Sequence, residues 1–257
     1  MTKNIETRKK LLLYGIVIPI GFVFSLKIIG LILQIINLPP DPDLLVGAIA
    51  ELATALIFFC AFRKTIKFGE KHILTPKRFL FCLFYLGVPF LCNAVMSLLG
   101  GELKSGAFAI IAGALAGLAY GVTEEIVFRG VVLNKLIKTF KNRKNTYIVA
   151  TLLTAGVFGL CHFFNLASQP FLATLGQVYF AIAAGMAFCG IYLISGTLII
   201  PIILHVIVDI CHTLLKNDVT ATSNSFNWVL AIFSTVLLVE GIATMIYWQK
   251  RDSRKIK

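Results

Sequence analysis

Long apolar stretches run through this chain, and short polar segments interrupt them. Eight stretches reach or approach the roughly 20 residues that a helix needs to cross the hydrocarbon core of a bilayer. They cover residues 11–36, 44–62, 79–99, 106–137, 146–164, 171–194, 196–215 and 226–248. The pattern predicts an all-α, polytopic transmembrane bundle of about eight spans, as a single membrane-embedded domain over residues 1–257.

Composition agrees with this prediction and excludes an ordinary soluble fold. Hydrophobic residues make up 58% of the 257 residues, charged residues only 14%, and the mean hydropathy is +0.88. The net charge of +12 does not indicate nucleic-acid binding, because the basic residues are spread among the segments between the apolar stretches. The lipid bilayer is the partner that this composition predicts, and a bacterial cell membrane is the expected location. The oligomeric state stays open.

The basic residues also predict an orientation. The N-terminus, the loop 63–78, the segment 135–144 and the C-terminal tail hold 20 of the 24 Lys and Arg residues. A count of eight spans puts all four on one side, and the acidic or nearly uncharged loops 39–43, 101–105, 165–170 and 216–225 on the other. Because cytoplasmic loops carry the excess of Lys and Arg, both termini are predicted to be cytoplasmic.

Several ionisable residues lie inside the predicted spans, where each costs about 2.5–3.5 kcal/mol on insertion scales. Such residues face the interior of a bundle or a wet cavity, and they pair there. The fourth span carries Glu124, Glu125 and Arg129, the fifth carries His162, and the seventh carries His205 and Asp209.

Their spacing predicts one shared site. Glu125 and Arg129 are four residues apart, as are His205 and Asp209, so each pair shares a helix face. Ala109, Gly113, Gly117 and Gly121 form a small-residue stripe that leads onto this charged face and predicts close packing with a neighbouring helix. His205 reaches the depth of Glu124 and His162 only if the turn between the sixth and seventh spans is recessed.

The motif Glu124-Glu125-x-x-x-Arg129 is followed by Phe158-x-x-x-His162 and then by His205-x-x-x-Asp209. In this order, on three apolar helices, the set resembles the CAAX prenyl protease and bacteriocin-processing (CPBP) family of intramembrane endopeptidases. The resemblance covers a catalytic core over residues 106–212. It implies a hydrolase that cuts a peptide or protein substrate at the membrane, in bacteriocin immunity, peptide maturation or CAAX-type processing.

The resemblance also implies roles for these residues. Glu124 would activate water as general base, helped by His162, while Glu125, Arg129 and Phe158 would support the site. His205 and the residue one turn later would stabilise the oxyanion or complete the polar site. Prenyl-processing relatives often have Asn at that last position, where this chain has Asp209. Because a carboxylate donates only when protonated, orienting His205 or binding a cation suits Asp209 better.

Metal dependence is left open. Two histidines and a glutamate can bind zinc or another divalent metal, so Glu124, His162 and His205 form a candidate metalloprotease set. The chain has no His-Glu-x-x-His helix, however, which slightly favours hydrolysis by glutamate and histidine without a metal.

Two other function classes are also consistent with the sequence. A proton- or ion-coupled transporter could use the same residues as a relay, although no inverted repeat is visible. A non-catalytic immunity or scaffold protein could bind a peptide without cutting it. Glu51 and Glu240 each lie alone in an apolar stretch, where a carboxylate hydrogen-bonded to a neighbouring helix is the simplest expectation.

Overall fold

The structure is a computed structural model, and it describes residues 2–66, 75–141, 144–216 and 227–255. These residues are helical apart from short turns and one antiparallel bridge between Leu103 and Leu215. The predicted loops 63–78, 135–144 and 216–225, and the C-terminal tail, lie partly outside the described residues. The prediction of an all-helical membrane protein is confirmed.

Eleven α-helices follow one another in the described residues. They are α1 (Thr2–Leu12), α2 (Ile18–Ile36), α3 (Pro40–Phe62), α4 (Pro76–Leu80), α5 (Val88–Gly100), α6 (Ala107–Glu125), α7 (Asn134–Phe140), α8 (Thr146–Cys161), α9 (Phe171–Ser195), α10 (Ile199–Thr213) and α11 (Trp228–Lys255). Three π-helical segments, Leu13–Val17, Phe81–Leu86 and Ile126–Leu133, continue α1, α4 and α6, and a 3₁₀ segment, His162–Ala167, follows α8.

The count of eight spans is not confirmed. Six helical stretches of the described chain are long and apolar enough to cross a membrane: Ile5–Leu33, Pro40–Phe62, Ala107–Phe140, Thr146–Ala167, Phe171–Ser195 and Trp228–Arg251. Pro76–Phe84 and Val88–Gly100 form a pair bent by 40° that counts as a seventh span if taken together. The seventh predicted stretch, residues 196–215, contains only α10, whose 15 residues extend about 22 Å, short of a core about 30 Å thick.

The turn between α9 and α10 lies inside the bundle. Gly196 adopts a left-handed conformation with φ of 69°, which ends α9 and which glycine adopts without steric cost. The hydroxyl of Ser195 donates to the carbonyl of Thr197 and accepts from its backbone N–H, so the polar groups of the turn are satisfied while buried. The turn is therefore recessed, as the depth of His205 requires.

Helix α6 packs against α3 and α10, and α9 packs against α8 and α11. The glycines of α6 allow the approach of α10. A Cβ on Gly113 would lie 2.8 Å from the carbonyl oxygen of Thr213, and one on Gly121 would lie 2.7 Å from the backbone nitrogen of Val206. The small-residue stripe thus faces a neighbouring helix, as predicted, and that helix is the one that carries His205 and Asp209.

Candidate active site

One cavity of about 670 Å³ collects the polar residues that the sequence singled out. Glu124 of α6, His162 after α8, and both His205 and Asp209 of α10 line its wall. Apolar and aromatic side chains, including Phe158, form much of the remaining surface. Residues far apart in the chain therefore meet around one space inside the helical bundle.

A buried network of three charged or polar side chains supports this wall. Glu125 and Arg129 are both fully buried, and Arg129 Nη1 lies 2.7 Å from Glu125 Oε1. The same carboxylate oxygen lies 2.8 Å from Nδ1 of His205. Because Glu125 is paired with Arg129, its carboxylate accepts, and His205 Nδ1 therefore carries the hydrogen. The contact between Glu125 and His205 fixes the orientation of the imidazole, a role that the sequence had offered to Asp209.

Aromatic rings hold this network in place. The guanidinium carbon of Arg129 lies 4.7 Å from the ring centre of Phe158 and 5.1 Å from that of Phe188. The ring of His205 stacks on Phe188 at 4.9 Å. A cation between two aromatic faces is stabilised by their quadrupoles, which offsets part of the cost of burying Arg129. Phe158 was expected as a supporting residue, whereas Phe188 carries no pattern in the sequence that indicates its role.

A change of helix type accompanies the motif. α6 ends at Glu125, and Arg129 lies in the buried π-helical segment Ile126–Leu133 that follows it. Arg129 Nη2 also donates to the carbonyl of Gly185 on α9, at 3.4 Å. π-Helical turns occur frequently at functional sites. Here the segment brings the guanidinium to both the Glu125 carboxylate and α9.

The second nitrogen of His205 faces two carboxylates. Nε2 lies 3.6 Å from Glu124 Oε2 and 3.5 Å from Asp209 Oδ2. Two carboxylates around one nitrogen favour a proton on that nitrogen, since a lone pair there would repel both of them. Unlike Glu125, the side chains of Glu124 and Asp209 keep 23% and 21% of their surface exposed. Glu124 is therefore accessible to a molecule in the cavity, and Glu125 is not.

His162 lies at the end of α8, where the helix tightens into the 3₁₀ segment. Its Nδ1 lies 3.0 Å from the carbonyl oxygen of Phe158. Because a carbonyl only accepts, Nδ1 carries the hydrogen, and in the neutral ring Nε2 is left as an acceptor. His162 makes no ion pair with a carboxylate among the residues that the structure describes. It lines the same cavity as Glu124 without touching it.

The candidate metal set does not fit a metal ion in this arrangement. Among the described residues, no group of three His, Cys, Asp or Glu side chains is arranged to hold one. Glu124 and His205 approach each other, but Nδ1 of His205 is bound to Glu125 and His162 stands apart. The arrangement of these three side chains therefore supports no reaction step through a metal ion, and the metal dependence of the site stays a hypothesis.

Two polar features of the cavity were not anticipated. Glu51 of α3 lines it, and no described group binds its carboxylate, contrary to the expected hydrogen bond to a neighbouring helix. Lys27 of α2 donates to Asn165 Oδ1 at 3.1 Å, and Asn165 donates in turn to Gln177. In the sequence, the only indication that Glu51 and Lys27 line a cavity is that each is an ionisable residue within an apolar stretch.

Comparison with protein families agrees with the motif order. Residues 106–211 match the family model of type II CAAX prenyl endopeptidases, Rce1-like. The match supports the CPBP family for these residues. The resemblance predicted from the three motifs is thereby confirmed, over almost the same residues. No curated protein matches the chain.

The match to this family model supports two general conclusions. The family is one of CAAX-type intramembrane proteases, and the match supports that class for this chain. Together with the six apolar helices, it also supports an integral, multi-pass membrane protein. The matched segment holds all seven residues of the motifs, from Glu124 to Asp209, whereas Glu51 and Lys27 lie outside it.

Proposed function

We propose that this protein is an intramembrane endopeptidase that hydrolyses a peptide bond with water activated by Glu124. The observation that carries the proposal is the convergence of Glu124, His162 and His205 on one cavity within the bundle. Amide hydrolysis needs a base for water, a stabiliser for the oxyanion and an acid for the leaving amine. Each of these roles has a candidate side chain on the wall of this cavity.

Glu124 is the proposed general base. Of the two adjacent glutamates, it is the one with a side chain open to the cavity, and Arg129 does not neutralise it. His162 supports the same step, since the acceptor nitrogen of its neutral ring can hold a water molecule against Glu124. Glu124 takes a proton from this water as the oxygen attacks the carbonyl carbon, and it later passes that proton to the departing amine.

His205 is the proposed stabiliser of the oxyanion. The Glu125 carboxylate holds Nδ1, and Glu124 and Asp209 favour a proton on Nε2, so the ring can present an N–H to negative charge that develops in the cavity. Asp209 supports His205 in this proposal and does not itself donate to the oxyanion. The chemistry needs no Asn at position 209.

The substrate is proposed to be a peptide or protein that enters the cavity from the membrane. CAAX-type processing, peptide maturation and bacteriocin immunity are the three settings that the motif resemblance implies. The hydrolysis proposed above requires only that the scissile bond reach Glu124 and His205. It requires no prenyl group on the substrate.

Purified protein incubated with a library of membrane-tethered peptides tests this proposal. We expect cleavage by the wild type, and a loss of at least about 100-fold in rate for Glu124→Ala and for His162→Ala, the range for removal of a general base. Glu240→Ala is the matched control, because Glu240 also lies in an apolar helix but does not line the cavity. A parallel incubation with chelator measures metal dependence.

Retention of full activity in both Glu124→Ala and His162→Ala would refute the catalytic roles. If the wild type cleaves no peptide but moves protons across liposome membranes, a transporter would replace the protease proposal. Protection of cells that survives Glu124→Ala would point instead to a protein that binds peptides without cutting them.

A further inference from the structure

Glu51 lies at the level of the candidate active site although it belongs to a different part of the chain. Its backbone carbonyl accepts a hydrogen bond from the hydroxyl of Thr123, at 3.3 Å. Thr123 directly precedes Glu124 in α6, and α3 packs along α6. This hydrogen bond ties the two helices together next to the proposed general base.

The side chain of Glu51 is enclosed and has no partner among the described residues. Glu51 is only 6% exposed, and it lines the cavity. No described donor or cation forms a hydrogen bond or ion pair with its carboxylate. A carboxylate withdrawn from water is destabilised unless a proton, a hydrogen-bond donor or a cation compensates for the lost hydration. The open side of Glu51 is the cavity, so the compensating group is expected there.

Two other carboxylates face the same space. Glu124 and Asp209 line the cavity, and their negative charges act on Glu51. Most positive groups nearby already have partners in the described structure: Arg129 pairs with Glu125, His205 contacts Glu124 and Asp209, Lys27 donates to Asn165, and Lys216 pairs with Glu102. Lys104 also lines the cavity, but it is not among the charges that act on Glu51. The wall formed by Glu51, Glu124 and Asp209 is therefore suited to a positive charge brought in by a bound molecule.

We propose that Glu51 and Asp209 form a subsite that binds a positively charged lysine or arginine side chain of the peptide substrate. This inference rests on the proposed protease function. An ammonium offers three donors and a guanidinium five, enough to reach two carboxylates at once. The cavity of about 670 Å³ lies within the usual range for ligand pockets. The described residues form no three-ligand metal site, which favours an organic cation over a metal ion.

Matched peptides that differ only in one charge test this subsite. One peptide carries lysine near the cleaved bond and its partner carries norleucine, which keeps the alkyl chain and lacks the ammonium. We expect the wild type to prefer the lysine peptide by at least tenfold in kcat/KM. In Glu51→Gln this preference falls to near unity, mainly through a higher KM for the lysine peptide. Glu240→Gln, the matched control, keeps the wild-type preference.

Binding to the Glu124→Gln background separates this inference from the protease proposal. Suppose that the wild type cleaves no peptide, that the lysine peptide nevertheless binds more tightly than the norleucine peptide, and that Glu51→Gln removes this difference. The subsite would then be supported, and the proposed catalytic role would be refuted. Equal binding and cleavage of the two peptides by proteins that carry Glu51 would overturn the subsite, whether or not Glu51→Gln folds. A preference that disappears with chelator would also overturn it, since a metal ion would then occupy the space.

Discussion

Glu124 and Glu125 are adjacent and chemically identical, yet their environments differ. Successive positions on a helix point about 100° apart, so only one of the two can face a given space. Glu124 keeps 23% of its side chain exposed to the cavity, whereas Glu125 is fully buried between Arg129 and His205. The first is therefore suited to meet a substrate, and the second to hold the protein partners of the site.

This difference predicts separable effects on stability and activity. In Glu125→Gln, the buried Arg129 loses its counter-charge, and breaking such a pair costs about 3–5 kcal/mol. We expect a clearly lower midpoint of thermal unfolding in detergent, together with loss of cleavage. Glu124→Gln removes no buried ion pair with Arg129, and we expect its unfolding midpoint to stay close to that of the wild type while cleavage is lost.

The two glutamine variants serve as controls for each other, because each replaces one carboxylate by an amide of the same shape. Equal unfolding midpoints for Glu125→Gln and the wild type would contradict the structural role of the Glu125 and Arg129 pair. A large loss of stability in Glu124→Gln would contradict the view that this side chain faces the cavity.

At the scale of secondary structure, the contact between α6 and α10 sets the geometry of the site. Gly117 lies midway along this contact, and a Cβ there would come within 2.5 Å of the Cα of Ile210 and 2.7 Å of the backbone carbon of Asp209. Because both neighbours are backbone atoms, an added methyl group has to move one helix away from the other. His205 and Asp209 would move with α10, away from Glu124 and Glu125.

Gly117→Ala is therefore expected to reduce cleavage by about 100-fold, the loss that a displacement near 1 Å can cause. Membrane insertion should be unaffected, since alanine is as compatible with an apolar helix as glycine is. Gly156→Ala on α8 is the matched control, because a Cβ there would meet nothing within 4 Å. Cleavage rates and yields of membrane-inserted protein check both variants, and wild-type activity in Gly117→Ala would contradict the close packing.

At the scale of the whole molecule, the number of membrane crossings decides where the two ends of the chain lie. Six stretches qualify as spans, the bent pair around Gly87 adds a seventh, and α10 is short. The positive-inside pattern requires an even number of crossings between the termini, because both are basic. Seven crossings, with α10 enclosed in the bundle, would place the termini on opposite sides.

Reporters fused to each terminus distinguish these topologies. We expect both reporters to give the cytoplasmic signal, as the distribution of Lys and Arg predicts. Moving the C-terminal reporter to the loop between α2 and α3 should give the opposite signal and serves as the control. A C-terminal reporter outside the cytoplasm would show that the orientation predicted from the charges is wrong and that the number of crossings is odd.

The sequence by itself determined the class of fold and which ionisable residues face the interior of the bundle. Twenty-residue apolar stretches are compatible only with helices in a membrane, since every backbone polar group must be satisfied within the segment. Charged residues inside such stretches are costly in lipid, so Glu124, Arg129, His205 and Asp209 had to face the protein interior. Their spacing of four residues placed each motif on one helix face.

Only the tertiary structure decided which of these groups meet, and how. The rotation of α6 towards α10, set by contacts among backbone and side-chain atoms far apart in the chain, turned Glu124 to the cavity and Glu125 to His205. The same packing brought Glu51 of α3 beside the site. Spacing along one helix is local information, whereas the register between helices depends on how all the side chains of the bundle fit together.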